Sequence, residues 1–336
     1  MCNMDNKPKI GILGVGMVGK EAARYFLESG WERGKSLFLH DTDAKKNFSD
    51  DIKKANIIFI CVPTPSKKDG SCDTSIVESV INKYHAPDRI LVIKSTVEPG
   101  TVARFQKKYK SPILFNPEFL TESRAWEDFI RPDKQIVGHT HKSQAVAGSV
   151  LNLLPQAYFS APGTLGTYEF VRVNSSEAEF GKYASNVFGA LKVTYANVLA
   201  DFANALEKVQ RREGIKLPVD YENIRKMVAH DRRIGDAWMN VYHGNYRGFG
   251  GYCFPKDFKA FMIFGNKLIK KLNKKKDKNL QFLLKSGLGF LEAVWKYNSN
   301  LLKSQDLSVE LVSSHESNVR ALLEKKWRRN NKKNQK

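Results

Sequence analysis

The sequence has 336 residues, of which 42% are hydrophobic and 11% aromatic, so it can build about two packed domains and is not disordered throughout. No run of 18 apolar residues occurs, which excludes a membrane-spanning helix. The first residues lack an apolar segment and the four cysteines form no CxxC pair, so we expect a cytoplasmic protein without a secretory signal, metal site or disulfides.

Much of the net charge of +20 lies in two short segments. Residues 266–280 hold seven Lys and one Asp, and residues 321–336 hold seven Lys or Arg and one Glu. Such charge raises nucleic acid, a membrane surface or an anionic substrate as partners. Because no nucleic-acid-binding motif accompanies it, we expect solvated segments, and neither nucleic acid nor membrane as a partner. A surface that binds polyanions is the alternative.

Residues 8–140 alternate short apolar runs with helical stretches. This alternation, with many Val and Ile residues, predicts an α/β fold with a Rossmann-like, doubly wound parallel sheet in an N-terminal domain of residues 1–170. The expected strands are Lys9–Gly14, Ser36–His40, Ile57–Val62, Ile90–Ser95, Ile113–Asn116 and Gln135–Gly138. We interpret Leu151–Phe170 as a connection.

From Ser175 the pattern becomes helical. Ser176 and Glu179 match an S-x-x-E capping box, and apolar residues then recur at helical spacing with no proline before Pro218. This predicts one helix of about 35 residues, roughly 50 Å long, within an all-helical central domain of residues 171–305. Residues 306–336 form a basic tail. So long a helix can form a dimer seam, and we expect a homodimer joined along it.

A glycine-rich hexamer, Gly14-Val15-Gly16-Met17-Val18-Gly19, follows the first predicted strand and opens a helix. This context is the one that the dinucleotide-binding fingerprint G-x-G-x-x-G requires. Asp41 follows 22 residues after Gly19, where a carboxylate can bind ribose hydroxyls. Because Asp43 lies close by and no arginine is adjacent, a 2′-phosphate would be repelled. The sequence therefore predicts NAD rather than NADP.

A second informative segment is Gly250-Gly251-Tyr252-Cys253-Phe254-Pro255-Lys256-Asp257. A lone cysteine is commonly buried and inert. Here two glycines allow a ligand to approach, and Lys256 and Asp257 put charges beside the thiol. From these residues alone, a nucleophilic and an inert Cys253 are equally reasonable. Cys61 lies in a predicted strand and is expected in the core.

Eight sequence blocks occur in the order known from one family. They are Gly14–Gly19, Val62–Pro65 with Asp69–Ser75, Lys94–Val97, Asn116–Glu122, Glu177–Glu179, Lys182–Asn186, Arg233–Gly235 and Gly250–Asp257. Through them the chain resembles the UDP-glucose/GDP-mannose dehydrogenase family over about residues 8–300. That resemblance implies an NAD-dependent oxidation of the C6 alcohol of a nucleotide sugar, with UDP-glucose favoured, through a covalent thioester.

The resemblance also implies catalytic roles. Cys253 would attack the aldehyde intermediate, and Lys182 and Asn186, which share one face of the long helix, would stabilise the oxyanion. From the residues alone, both helix positions would be interpreted as part of a solvated face. The remaining catalytic residues that the resemblance implies are Thr96 and Glu122, which would position or deprotonate water, and Asp257, which would hold a further water. Without it, both carboxylates would be interpreted as surface groups and Thr96 as a strand end.

The resemblance further implies two sets of binding residues. NAD would contact Gly14, Val15, Gly16, Met17, Val18, Gly19, Asp41, Lys46, Thr64, Thr96, Glu122 and Lys256. The nucleotide sugar would contact Glu118, Phe119, Leu120, Thr121, Glu122, Lys182, Asn186, Tyr242, His243, Gly244, Asn245, Tyr246 and Gly250.

Three features depart from the family's pattern. Ser123 stands where glycine is usual, Lys134 stands where arginine is usual, and the chain runs only 36 residues past Asn300, too few for the family's second nucleotide-binding domain. Two alternatives therefore stay open. One is a single-step NAD-dependent hydroxy-acid dehydrogenase, and the other is a degenerate NAD-binding subunit that requires a full-length partner.

Overall fold

Five parallel strands form the main sheet. The computed structural model describes residues 7–157, 168–170, 173–242 and 245–313. The strands run in the order β2-β1-β3-β4-β5, so the strand order reverses between β1 and β3. Ligands of such sheets bind outside the carboxyl ends of the strands at this reversal. The strands are β1 (Ile10–Leu13), β2 (Leu37–His40), β3 (Ile57–Ile60), β4 (Ile90–Ile93) and β5 (Ile113–Phe115).

Helices cover both faces of this sheet, as the apolar strands require. Side chains alternate between two cores: Ile12 and Phe59 pack on one face, and Leu13 and Ile60 on the other. The Rossmann-like α/β architecture expected from the sequence is confirmed. The helices of this part are α1 (Met17–Glu28), α2 (Ser75–Tyr84), α3 (Thr101–Lys108), α4 (Ala125–Ile130) and α5 (Gln144–Leu151).

The sixth expected strand is not one of the five strands of the main sheet, although its last residue, Gly138, exchanges two backbone hydrogen bonds with Phe115 of β5. Strand β6 (Lys134–Ile136) pairs in parallel with β7 (Tyr168–Phe170) in a separate two-stranded sheet. The segment 151–170 was expected to be a connection only, so β7 corrects that interpretation at its last three residues. Three residues offered too short an apolar pattern to be recognised as a strand.

The rest of the described chain is helical. The long helix expected from the sequence is confirmed as α6 (Ser175–Arg212), which has 38 residues. It ends shortly before Gly214, whose φ of +83° a residue with a side chain rarely adopts. The further helices are α7 (Tyr221–Ala229), α8 (Cys253–Lys271), α9 (Lys278–Lys303) and α10 (Val309–Val312). Among the described residues, no helix is long and apolar enough to span a bilayer.

The chain divides into two compact units between Lys182 and Tyr183. The first unit contains both cores of the main sheet. The second has a core of its own, in which Val187 and Val193 of α6 pack with Phe249, Phe258 of α8 and Val294 of α9.

Helix α6 begins with a different cap from the one expected. The capping box joins Asn174 and Glu177: Asn174 Oδ1 accepts a hydrogen bond from Glu177 N at 3.0 Å, and Glu177 Oε2 accepts one from Asn174 N at 2.8 Å. The expected pair, Ser176 and Glu179, is wrong because Ser176 already lies inside the helix.

Glu179 binds the beginning of another helix instead. Its carboxylate accepts hydrogen bonds from Gly100 N at 2.5 Å and Val102 N at 2.8 Å, where α3 begins. These amides have no partner within α3, so the carboxylate satisfies donors that would otherwise be buried without one. Burial raises the pKa of Glu179 to about 8, although the amides of Val102, Gly100 and Thr101 oppose the shift.

This raised pKa predicts a pH-dependent stability. Between pH 4.5 and about 8, folded Glu179 retains a proton that the unfolded chain releases. The free energy of unfolding must therefore fall as the pH rises through this range. We expect Glu179→Gln, which resembles the protonated acid, to reduce this slope when thermal unfolding midpoints are measured against pH. Glu28→Gln, at an exposed site, is the control and should keep the wild-type slope. Equal slopes in wild type and Glu179→Gln would contradict the assignment.

Candidate active site

The three glycines of the loop after β1 have different structural surroundings. Gly14 has φ +84°, and a Cβ there would lie 2.7 Å from the carbonyl oxygen of Cys61. A Cβ on Gly19 would lie 1.9 Å from the carbonyl oxygen of Gly14, so α1 packs directly on the turn. Gly16 differs, because a Cβ there would meet no atom within 4 Å.

The open side of Gly16 is suited to a pyrophosphate. Gly16 is the N-cap of α1, where no side chain makes a capping hydrogen bond and the first turn holds no acidic residue. The free amides and the partial positive charge of a helix N-terminus bind phosphate oxygens. The loop residues present, including Val15, Met17 and Val18, therefore fit a dinucleotide at the point where the strand order reverses.

Asp41 follows β2 and is tied to the same loop. Its Oδ2 accepts hydrogen bonds from Val15 N at 2.7 Å and from Lys46 Nζ at 2.9 Å, while Oδ1 accepts one from Asp43 N at 2.9 Å. Burial opposes ionisation of Asp41, but these donors outweigh it and hold its pKa below the usual range. An ionised carboxylate beside the glycine loop is the acceptor that ribose hydroxyls need.

Thr64 and Thr96 meet where β3 and β4 end. The buried Thr64 Oγ1 donates a hydrogen bond to the carbonyl oxygen of Thr96 at 2.8 Å. The thiol of the buried Cys72 lies 3.5 Å from the same oxygen. The two threonines expected to contact NAD are thus brought together at the carboxyl edge of the sheet.

A buried ion pair joins the segment after β5 to α6. Lys182 Nζ lies 3.2 Å from Glu118 Oε1, and both side chains are less than 10% exposed. Burial opposes ionisation of Glu118, but Lys182, the amide of Leu120 and Lys94 together lower its pKa. The alternative of a solvated helix face is therefore wrong for Lys182.

Phe119 lies beside two lysines. Its ring centroid is 4.0 Å from Lys134 Nζ and 5.1 Å from Lys182 Nζ, so both ammonium groups can interact with the ring face. Burial lowers the pKa of Lys134, and the like charge of Lys182 lowers it further. This corner of the first unit holds more positive than negative charge.

Sequence reasoning assigned no role to Lys94, which lies behind this ion pair. It follows β4, is 4% exposed, and donates from Nζ to Asn116 Oδ1 at 2.5 Å. Asn116 Nδ2 in turn donates to Gln135 Oε1 at 2.9 Å and to the Ile136 carbonyl at 2.7 Å. Burial lowers the pKa of Lys94, and Cys61 and Glu118 oppose the shift. The sequence signal for this buried contact was a lysine directly after an otherwise apolar strand.

The rest of the expected substrate segment is less enclosed. Leu120 N donates to Glu118 Oε2 at 2.8 Å, and Thr121 N donates to Asp128 Oδ2 at 2.8 Å. Glu122 begins a short 3-10 turn and is exposed, as the interpretation of a surface carboxylate expects. The structure brings Glu118 to Lys182 and leaves Glu122 outside that pair.

In the second unit, the residues around Cys253 form a buried polar group. Cys253 is the first residue of α8, and Asp257, one turn later, is 1% exposed. Asp257 Oδ2 accepts a hydrogen bond from Asn186 Nδ2 at 2.5 Å, and its Oδ1 accepts one from Lys256 Nζ at 2.6 Å. Asp257 is therefore not a surface carboxylate, nor is the buried Asn186 part of a solvated face.

Asn298 of α9 holds the glycine-rich loop that precedes Cys253. Its side-chain amide pairs with both backbone groups of Phe249, accepting from the amide at 2.7 Å and donating to the carbonyl at 3.0 Å. A Cβ on Gly248 would lie 2.7 Å from Asn298 Oδ1. Because 49 residues separate the partners, sequence reasoning did not find this contact.

The expected substrate residues of this loop differ in exposure. Tyr242 is 60% exposed and Asn245 is exposed with φ +61°, whereas Tyr246 is 8% exposed and packs with Leu302 and Val312. A Cβ on Gly250 would lie 2.2 Å from the Tyr246 hydroxyl oxygen. His243 and Gly244 lie outside the described residues.

Comparison with known families assigns both parts of the chain. Residues 33–154 match the NAD binding domain of the UDP-glucose/GDP-mannose dehydrogenase family, and residues 176–275 match its central domain. These matches confirm the resemblance seen in the sequence. They also make NAD the dinucleotide of the first unit, in agreement with the open Gly16 and the ionised Asp41.

Individual relatives agree. The chain is 32% identical over 297 residues to a UDP-glucose 6-dehydrogenase of Pseudomonas aeruginosa, a match that covers 76% of this chain and 60% of that protein. It is 34% identical over 221 residues to a UDP-glucose 6-dehydrogenase of Rickettsia bellii, covering 63% of this chain and 46% of the relative. The chain thus spans 60% of the length of the first relative and 46% of the second.

Solved structures share the fold. A UDP-glucose dehydrogenase from Pyrobaculum islandicum superposes with a TM-score of 0.68 at 25% identity, over 91% of this chain and 71% of the other. A UDP-D-ManNAc dehydrogenase from Pyrococcus horikoshii superposes with a TM-score of 0.64 at 17% identity, over 89% and 70%.

Because the space beside Gly16 is open, we expect a substitution there to lower the affinity for NAD without lowering the stability of the fold. Its φ of −89° accommodates alanine, and no atom within 4 Å would be displaced. We expect Gly16→Ala to fold normally and to bind NAD at least about tenfold more weakly, because the methyl group occupies the space of the pyrophosphate. Calorimetric titration with NAD measures the loss. Gly148→Ala, in α5 and equally unobstructed, should keep wild-type affinity. Unchanged affinity in Gly16→Ala would remove the pyrophosphate from this loop.

Proposed function

Because the chain belongs to the UDP-glucose/GDP-mannose dehydrogenase family, we propose that it is an NAD-dependent nucleotide-sugar 6-dehydrogenase, of the UDP-glucose 6-dehydrogenase type, that oxidises UDP-glucose to UDP-glucuronate. The relatives from Pseudomonas and Rickettsia support UDP-glucose as the substrate.

The observation that carries this proposal is the buried group next to Cys253. Asp257 has both carboxylate oxygens engaged, by Asn186 and by Lys256, and lies one helical turn from the thiol. Cys253 also occupies the first position of α8, where the partial positive charge of the helix favours a thiolate. A single alcohol oxidation needs no such nucleophile, whereas oxidation to a carboxylate does.

The other described cysteines are less suited than Cys253 to be the nucleophile. Burial raises the pKa of Cys61 to about 12, so its thiol stays protonated at neutral pH. Cys72 is buried against the Thr96 carbonyl. Cys253 is partly exposed. A reactive thiol must stay reduced, and we therefore place the enzyme in the cytoplasm.

The proposed chemistry has three stages on this chain's residues. The glycine loop and Asp41 would hold NAD, which when bound would supply the hydride acceptor for each of two oxidations at the sugar's C6. The Cys253 thiolate adds to the aldehyde carbon left by the first oxidation, and the carbonyl oxygen takes a proton to give a thiohemiacetal. After the second oxidation the same carbon is a thioester, and water replaces sulfur, releasing the carboxylate and the thiol.

Polar side chains supply the remaining roles. We assign Lys182 and Asn186 to the oxyanion, since an ammonium and an amide are the donors that developing negative charge requires. Glu118 compensates for the hydration that the Lys182 ammonium group loses on burial. Glu122 and Thr96 would position the hydrolytic water, and Asp257 would hold a second water.

The surface of α6 supports a homodimer. Phe188, Tyr195, Phe202 and Val209 recur every seven residues and are 46–70% exposed in the single chain. A seven-residue apolar repeat along a helix is the pattern by which two helices pack against each other. Leaving such a stripe in water is unfavourable for a monomer. We propose that a second copy of the chain covers it.

The proposed reaction predicts two NADH for each UDP-glucose consumed. Cys253→Ser should form little or no acid, at least about a hundredfold less, while still binding NAD, because a hydroxyl is a poorer nucleophile than a thiolate. Absorbance at the NADH band and chromatography of the sugar products measure both quantities. Cys72→Ser, which keeps a donor for the Thr96 carbonyl, is the matched control and should retain acid formation.

Other stoichiometries would contradict the proposal in distinguishable ways. One NADH per substrate, unaffected by Cys253→Ser, would favour a single-step hydroxy-acid dehydrogenase. NAD binding without turnover of UDP-glucose, GDP-mannose or UDP-N-acetylhexosamines would favour a subunit that needs a full-length partner.

If the exposed apolar residues of α6 form the dimer contact, a single charged substitution among them should separate the subunits. We expect Phe202→Glu to sediment as a monomer at micromolar concentration, because each subunit would bury an unpaired carboxylate in the apolar contact. Met227→Glu, at a residue of α7 that is 72% exposed, should leave the dimer intact. A wild-type monomer under the same conditions would refute the proposed dimer.

A further inference from the structure

The tip of the hairpin formed by α8 and α9 concentrates positive charge on a small surface. Helix α8 ends at Lys271, α9 begins at Lys278, and the six residues between them reverse the chain. We call residues 270–278 the basic tip. Six of its nine residues are exposed lysines: Lys270, Lys271, Lys274, Lys275, Lys276 and Lys278.

The fold itself does not require this charge. Lysines in the last turn of α8 stabilise that helix end, but the lysines of the turn have no such role. The turn is held by Asn273 and Asp277, whose side chains accept hydrogen bonds from backbone amides. Among the described residues, Lys274, Lys275 and Lys276 form no ion pair. Like charges this close repel each other, so the tip is suited to an anionic partner.

Apolar side chains are exposed directly beside the tip. On α9, Phe282 is 70% exposed, Leu283 is 63% exposed and Leu280 is 49% exposed. Phe282 lies four residues after Lys278 and three before Lys285, so the three side chains share one face of the helix. The buried Leu288, one turn further along α9, packs on Gly265 of α8. Lysines thus flank an exposed aromatic side chain.

This combination distinguishes among anionic partners. Nucleic acid would pair with the lysines and could stack on Phe282, but it offers no apolar environment for Leu280 and Leu283. A second copy of the chain docked at this face would bring two basic tips together by symmetry. A bilayer with anionic lipids satisfies both features, because headgroups attract the lysines and the acyl boundary accepts the apolar side chains.

We propose that the basic tip, together with Phe282 and Leu283, binds the surface of membranes that contain anionic phospholipids. The lysines contact the headgroups, and the two apolar side chains enter the boundary between headgroups and acyl chains. The hairpin lies on the membrane and does not span it. This inference goes beyond the proposed oxidation and does not depend on it. It replaces the expectation from the sequence that residues 266–280 have no membrane partner.

Vesicle sedimentation tests the proposal with the full chain. The probes are vesicles of phosphatidylcholine alone and of phosphatidylcholine mixed with phosphatidylserine. We expect binding to the mixed vesicles only. The triple variant Lys274→Glu, Lys275→Glu, Lys276→Glu should bind at least about tenfold more weakly, because each lysine near an anionic surface contributes about fivefold. Lys53→Glu, Lys54→Glu, Lys107→Glu makes the same charge change at exposed sites elsewhere and should keep wild-type binding.

Two further variants test the apolar part. Phe282→Ser with Leu283→Ser should weaken binding to mixed vesicles while leaving the charge unchanged. Phe282→Trp should show a blue-shifted emission on binding, as the indole leaves water.

Three results would overturn the proposal. The first is no binding to mixed vesicles by the folded chain. The second is an equal loss in the tip variant and the control triple, which would indicate net charge alone. The third is tight binding to duplex DNA that the tip lysines control, with no effect of the serine variant on vesicles.

Discussion

The buried pairing of Lys182 with Glu118 is the constraint on which the polar interior of the first unit depends. An ammonium group loses its hydration when it is buried, and a carboxylate with satisfied oxygens compensates for much of this cost. Glu118 meets that requirement because the Leu120 amide donates to one oxygen and Lys182 approaches the other. Lys94, held by Asn116, adds a second cation behind the pair. The result is a buried region with excess positive charge, suited to stabilise an anionic intermediate.

The second unit also contains a buried charged group, and its partners differ from those of Glu118. Asp257 is fully desolvated, yet both of its oxygens accept short hydrogen bonds from Asn186 and Lys256. The loop before Cys253 is held by the amide of Asn298, which substitutes for a neighbouring peptide. The residues around Cys253 are thus held by side chains whose own hydrogen bonds are satisfied, and this limits their freedom.

Charge on this molecule serves different purposes according to its burial. In the first unit, Lys182 pairs with a carboxylate and Lys134 lies over an aromatic ring. Each of these lysines loses hydration and acts only at short range. At the tip of the α8–α9 hairpin the lysines are solvated and are concentrated by sequence alone. Such groups contribute little to folding but dominate attraction at a distance, which salt screens. The net charge of +20 therefore reflects two unrelated roles.

The sequence by itself determined those features whose information is local. Apolar runs gave the strands of the sheet, an uninterrupted helical period gave α6, and the spacing of three glycines gave the dinucleotide loop, because each depends on residues within a few positions of one another. The ordered blocks gave the family. Contacts between distant residues were decided only by the tertiary structure. It moved the cap of α6 to Asn174, sent Glu179 to the start of α3, buried Tyr246, and paired Asn298 with Phe249. Each of these choices depends on which polar group is deprived of water once the chain has packed, and burial is not a property of any short stretch of sequence.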